Sequence, residues 1–393
     1  MDERELDGRR GAGASADSWW LHGMVEQLLW VKLLRLPALA LRPQRVVLAV
    51  FLVVLVGLIG RLEMPWRDAE TPPFLDAMLG AKLEALAQLW RGVIGLHGGA
   101  IGSGFAALLI DVPAMALTRY PVETVLLGVP IALVWAVLGG AVCRSVACEV
   151  SLEMTLPWTK QLGFAVKSWR TFLGVAVLPG ALIGVIALVL AMGGVVLFNG
   201  VPGLELLGGL FYGLGLLLAL AAAGLVVAMV LGWSLLLPSA ACEGTDAIDS
   251  FGRVLAYVVA RPVRLLMYVL IGGLVSVLAG GVAFGLAEGA IGFAQATAGA
   301  WVPAESLVEL TGAYPLEAQL NEAGELREVG GVAAASSWMV GFWGSCLRLV
   351  ATGYALSCVL TAGTLVYLFM RQVCDGQHYA ELWSDQTEPT SRA

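Results

Sequence analysis

The chain has 393 residues, of which 59% are hydrophobic and 13% charged, whereas soluble domains hold roughly 45–50% and about 25%. That balance excludes an ordinary water-soluble domain. The formal net charge of −7 lacks the basic footprint that phosphate neutralisation needs, so no nucleic-acid partner is expected. Long uncharged runs at 46–60 and 171–198 suit a hydrocarbon core that needs about 20 apolar residues per helix. The fold class they imply is all-α: a polytopic membrane helical bundle of about six spans with interfacial amphipathic helices.

In chain order, residues 1–44 form an N-terminal segment. Within it, 18–36 carries Trp19, Trp20, Leu28, Leu29, Trp30, Leu33 and Leu34 among Glu26, Lys32 and Arg35, a pattern suited to lying among lipid headgroups. The first span is 45–62, with Arg45 and Arg61 snorkelling at its ends. It begins only after 44 residues, and no small-residue cleavage pattern follows, so no secretory signal peptide is read here. Residues 63–121 are a partly helical extracytoplasmic segment: 74–90 reads as an amphipathic helix, and 102–117 as a more apolar one broken at Pro113. Spans follow at 122–143, 171–198 (kinked or tilted near Pro179), within 204–237, at 265–293 and at 346–370. An acidic extracytoplasmic loop, 294–345, precedes the last span, and a tail, 371–393, follows it.

Lysine and arginine placement orients the bundle. Basic residues gather at Arg4, Arg9, Arg10, Lys32, Arg35, Arg42 and Arg45. They recur in the loop after span two (Arg144, Lys160, Lys167, Arg170) and in the loop after span four (Arg253, Arg261, Arg264). Residues 300–330 hold six glutamates against Arg327. Both termini are therefore expected in the cytoplasm, with a bacterial inner membrane as the expected location. The six cysteines show no C-x-x-C pair and fall mostly where thiols stay reduced.

An offset of 94 residues relates Ala147-Cys148-Glu149 to Ala241-Cys242-Glu243, and Lys167 and Arg170 to Arg261 and Arg264. The pattern defines two parallel repeat units, 122–198 and 204–293, each with two spans and a surface helix between them. In the second surface helix Thr245 or Asp246 can cap the start. Ile248, Phe251, Leu255, Val258 and Val259 form its apolar side, with Asp249, Ser250 and Arg253 facing away. In the first, Trp158, Leu162, Phe164, Ala165 and Trp169 supply that side.

Segment 238–270, with its acid, short helix, basic-proline break and renewed span, resembles the membrane domain found beside some glycerophosphodiester phosphodiesterases. It also resembles a group of uncharacterised bacterial multi-pass proteins common in planctomycetes, whose ending resembles residues 364–376. The resemblance covers spans two to six. It implies membership of a membrane family and no established activity, because nothing here resembles the phosphodiesterase barrel or its metal-binding residues.

No catalytic, cofactor-binding or metal-ligating set assembles from the sequence: His22, His97 and His378 share no ligand spacing, and no phosphate loop or nucleophile motif is present. The candidate residues are structural. Glu149 pairs with Lys167 or Arg170, and Glu243 with Arg261 or Arg264, clamping each surface helix. Glu288 and Arg348 form an outer ion pair or reach water separately. Ser357, Thr361 and Thr364 share one face of span six, where packing is favoured over a polar path. The expected function is a non-enzymatic structural, scaffolding or assembly-modulating membrane protein, whose partners are membrane lipids and a membrane-protein partner or second copy. A transporter or channel on the parallel repeat, and a lipid-modifying enzyme, are the alternatives.

Overall fold

The computed structural model describes residues 29–62, 64, 72–198, 202–301 and 331–377. The expected features at 18–28, in most of the acidic loop and in residues 378–393 lie outside it. Of the described residues 91% are helical and none forms a strand. Six helices are long and apolar enough to cross a membrane, which makes this a multi-pass membrane protein.

A 3-10 stretch, Leu29–Arg35, leads into α1 (Leu36–Ala40) and then α2 (Pro43–Gly60), the first span. Next comes a hairpin of α3 (Phe74–Ile94) with α4 (Gly98–Ala106) and α5 (Val112–Thr118). The second span begins as α6 (Pro121–Glu123) and continues as α7 (Val129–Leu152). The short α8 (Trp158–Lys167) precedes α9 (Trp169–Leu197) and α10 (Pro202–Glu243), and α11 (Ala247–Ala260) precedes α12 (Pro262–Gly299) and α13 (Gly331–Asp375). Proline opens four of the six spans, at 43, 121, 202 and 262, where its fixed φ suits the first turn and its missing N–H costs no bond.

Several boundaries differ from the sequence reading. The second span does not end at Cys143: α7 continues to Leu152, so Arg144 sits in a helix and not in a loop. Nor does Pro113 break the 98–118 limb. A π-turn, Ala107–Asp111, lies just upstream of it, and another, Thr124–Gly128, lies just upstream of Pro130. The wider turn makes room for the proline ring, which would otherwise strike the carbonyl four residues back. Spans four, five and six are all longer than expected, at 42, 38 and 45 residues.

α13 is the central post. Of its most apolar window 61% is buried, against 11–33% for the other five, and it packs on α12, α2, α10 and α7. Close approach depends on small residues: a Cβ on Gly363 would lie 2.3 Å from the Ser234 carbonyl oxygen, and one on Gly353 would lie 2.4 Å from Val50 Cγ2 and 3.0 Å from its backbone nitrogen. Residues 29–40 do not lie free at a surface. Leu29, Leu33, Leu36 and Ala40 are buried, and the Tyr354 and Ser357 hydroxyls of α13 donate to the Pro37 and Ala40 carbonyls.

Along α13, Arg348 and Arg371 bracket 22 residues without a Lys, Arg, Asp or Glu, about 35 Å of helix at 1.5 Å per residue. That length matches a hydrocarbon core of about 30 Å with its borders. The end of the bundle holding Glu149, Glu243 and Arg371 is called basal below, and the end holding Glu288 and Arg348 distal.

Gly353→Leu should overpack the α2–α13 contact at a cost of about 1–3 kcal/mol and lower the unfolding temperature in detergent. Gly281→Leu, where a Cβ meets nothing within 4 Å, should leave that temperature unchanged.

Candidate functional site

The basal end carries the densest polar chemistry. Arg45 stands in the first turn of α2 and is 1% exposed; it does not snorkel. Its Nε donates to Ser145 Oγ at 3.0 Å, Nη1 to the Leu39 carbonyl at 2.6 Å, and Nη2 to the Ser145 carbonyl at 3.0 Å. Nη2 also meets the Glu149 carboxylate. Arg42, just before α2, reaches the other Glu149 oxygen through Nε and Nη2 at 3.0 and 2.9 Å. A buried guanidinium requires an opposing charge and a full set of acceptors, and here the charge comes from α7 and the acceptors from α7 and α1.

Glu243 ends α10 and is treated in the same way by other elements. The Tyr367 hydroxyl and Arg371 Nη1 of α13 donate to Oε1 at 2.9 and 3.1 Å, and Arg253 Nη1 of α11 donates to Oε2 at 3.3 Å. Arg253 also holds Asp249 at 3.3 Å across one helical turn. Burial works against the Arg253 charge, but Glu243 and Asp249 outweigh it and hold its pKa above the ordinary arginine value. Tyr257 donates to the Asp375 carboxylate, its ring 5.8 Å from that of Tyr367. Burial, with Asp375 and Glu243, pushes the Tyr257 phenol up, so it remains a donor. Between the two groups lies Arg144, buried, with Nη1 on the Ala241 carbonyl at 3.0 Å and its guanidinium 4.5 Å from the centre of the Phe164 ring. That contact joins α7 to both α10 and α8.

The expected clamp partners are therefore corrected. Lys167, Arg170, Arg261 and Arg264 are all exposed, and the two carboxylates are taken up instead by Arg42 and Arg45, and by Arg253 and Arg371. Spacing alone pointed to the nearest basic pair, whereas helix packing brings in arginines 104 and 128 residues away. α11 is also rotated from its expected face. It buries Ser250, Phe251, Val254, Tyr257 and Val258 and leaves Ile248 and Val259 exposed. Both sides of this helix carry large apolar residues, so hydrophobicity alone misjudges which side packs. Asp246 occupies the N-cap position of α11 without a capping bond, and the Thr245 hydroxyl pairs with that of Ser250 at 3.1 Å.

At the distal end the ion pair forms as two parallel bonds: Arg348 Nε and Nη2 reach the Glu288 oxygens at 2.6 and 3.0 Å. The hydroxyl face of α13 is wholly buried. Ser357 donates to the Ala40 carbonyl and Thr364 to that of Leu360, both at 2.9 Å, so these two serve packing. Thr361 Oγ1 is buried without a hydrogen-bond partner among the described residues. Cys143, Cys148, Cys242 and Cys358 are buried free thiols.

A groove of about 650 Å³ runs between α10, α12 and α13, walled by Trp233, Ser276, Val277, Gly280 and Val359. A second, of about 550 Å³, is lined by Val47, Phe51, Leu55, Leu138, Trp158 and Leu162. Both are apolar. Among the described residues no three His, Cys, Asp or Glu side chains converge to hold a metal. No family model, no curated protein and no solved structure matches the chain.

Removing Glu243 or Glu149 as alanine strands buried arginines and should cost about 3–5 kcal/mol. Arg261→Ala, at an exposed side chain, should stay within about 0.5 kcal/mol. Unfolding by denaturing detergent in mixed micelles measures both; equal effects would refute the buried clamp.

Proposed function

We propose that this chain is a non-enzymatic membrane protein that scaffolds or modulates assembly in a bacterial cytoplasmic membrane, with both termini in the cytoplasm. The supporting observation is the use of its polar groups. The basal arginines and carboxylates hold one another, and Arg144, Ser357 and Thr364 bind backbone carbonyls. The two grooves walled by Trp233 and by Trp158 are apolar, while the polar lining of a third, distal cavity comes from Gln295, Ser345 and Arg348. Such a bundle is built to stay put. The basal arginines Arg42, Arg45, Arg144, Arg253 and Arg371 share one end of the bundle, which supports a cytoplasmic basal side.

The two segments that order a span, a basal glutamate, a short helix and a second span support a parallel internal repeat. The kinship suggested by residues 238–270 is kept as part of the same proposal. A transporter or channel is the second reading. Its support is the Thr361 hydroxyl, buried in α13 without a hydrogen-bond partner among the described residues.

Vesicles carrying the purified protein should leak ions and small solutes no faster than empty ones. Protein-dependent flux, abolished by Thr361→Val, would replace the scaffold reading with the channel. For the orientation, a fluorescent-protein fusion at the C-terminus should fluoresce, and alkaline phosphatase inserted at residue 315 should be active. The reverse pair of results would invert the topology.

A further inference from the structure

The α3–α5 hairpin takes no part in the basal network. Its root is anchored where two spans end distally. A Cβ on Gly60 would lie 2.5 Å from Leu75 Cβ, the Phe74 and Tyr120 rings meet edge to face at 5.9 Å, and the Tyr120 hydroxyl donates to the Pro72 carbonyl at 3.3 Å. Phe74, Met78, Tyr120 and Leu127 form a small core with Ile59 of α2 and Ile131 of α7. The limbs then run side by side at close range: a Cβ on Gly104 would lie 2.8 Å from the Leu89 nitrogen, and one on Gly92 would lie 2.7 Å from the Ile101 nitrogen. Leu96 turns the chain in the left-handed region, φ 50°, and is 90% exposed.

Three faces of α3 have three different fates. Met78, Ala85, Leu89 and Gly92 are covered. Leu79, Leu83, Leu86, Trp90 and Val93 recur at three- and four-residue spacing along one side, all exposed. Asp76, Glu84 and Arg91 occupy the remaining side, also exposed. With Lys82, this limb holds four charges in 21 residues, too many for hydrocarbon on all sides. A continuous apolar stripe of five large side chains is equally ill-suited to water. An amphipathic helix with a tryptophan on its apolar side satisfies both demands in the plane of the interface, and the root already places it at the level where α2 leaves the bilayer.

We propose that the α3–α5 hairpin lies in the plane of the membrane, half-sunk in the leaflet where α2 ends, with acyl chains occupying the Leu79–Leu83–Leu86–Trp90–Val93 stripe. The hairpin does not form a seventh and eighth crossing: neither limb is among the six helices long and apolar enough to span. Ile110 and Leu117 on the second limb, exposed at 63% and 69%, extend the apolar contact. Lipid is the occupant because the stripe is rooted at the bilayer edge and flanked along its length by charges that can remain in water.

The test uses the full chain with Cys346→Ser and Cys374→Ser, reconstituted in phosphatidylcholine–phosphatidylglycerol vesicles. Nitroxide labels are placed singly through Leu83→Cys, Leu86→Cys, Trp90→Cys, Glu84→Cys and Arg91→Cys. Relaxation by oxygen, which concentrates in lipid, is compared with relaxation by a water-soluble nickel chelate. The expected result is oxygen dominance at 83, 86 and 90, reversing to nickel dominance at 84 and 91. Nickel dominance at all five positions would overturn the proposal in favour of a face turned to water. Protection from both reagents at 83, 86 and 90, with spin–spin broadening, would overturn it in favour of a second copy.

Discussion

A carboxylate that leaves water at the end of a membrane helix must find a cation within reach, and the packing of this bundle follows from how two such groups find theirs. Glu149 recruits Arg42 and Arg45 from the start of the first span, and Glu243 recruits Arg371 from the end of the last one together with Arg253 of α11. The first and last spans are thereby fastened to α7 and α10. Within lipid this matters more than in water, because contact between apolar helices gains nothing from hydrophobic burial that the acyl chains do not already offer. The ion pairs and close-packed glycine contacts supply the specificity that hydrophobicity cannot.

The centrality of α13 follows from the same logic. It contributes Arg371 and Tyr367 to the basal network, Ser357 to the Ala40 carbonyl and Arg348 to the distal pair. Its glycines admit α2 and α10 to backbone distance. A helix carrying that many polar obligations cannot face acyl chains, so it takes the middle, and the more uniformly apolar α9, 11% buried in its most apolar window, takes the outside. The two ion-pair levels also frame the slab that lipid fills.

The spans were legible because each is a local property: a run of apolar residues without charge reads the same whatever lies beside it. The hydroxyl face of α13 was legible too, as was the common depth of Glu288 and Arg348, since 1.5 Å per residue sets both at one level; that they pair was decided by the packing of α12 against α13. Other features were not legible, each for a definite reason. The exposed sides of α11 and α3 both carry large apolar residues, so the amphipathic pattern does not say which side packs. Pro113 signals a break, yet a π-turn upstream of it absorbs the ring. Arg144 looks like the first residue of a loop until Ala241 and Phe164 are seen to enclose it.

By itself, then, the sequence determined that the chain lives in a bilayer, roughly where it crosses, and which carboxylates would need partners. Transfer of uncharged helices out of water depends only on the residues within each helix. Which arginines answer Glu149 and Glu243, and which helix stands in the centre, only the tertiary structure decided. A guanidinium pairs with what lies within about 3 Å, and chain distance carries no information about that.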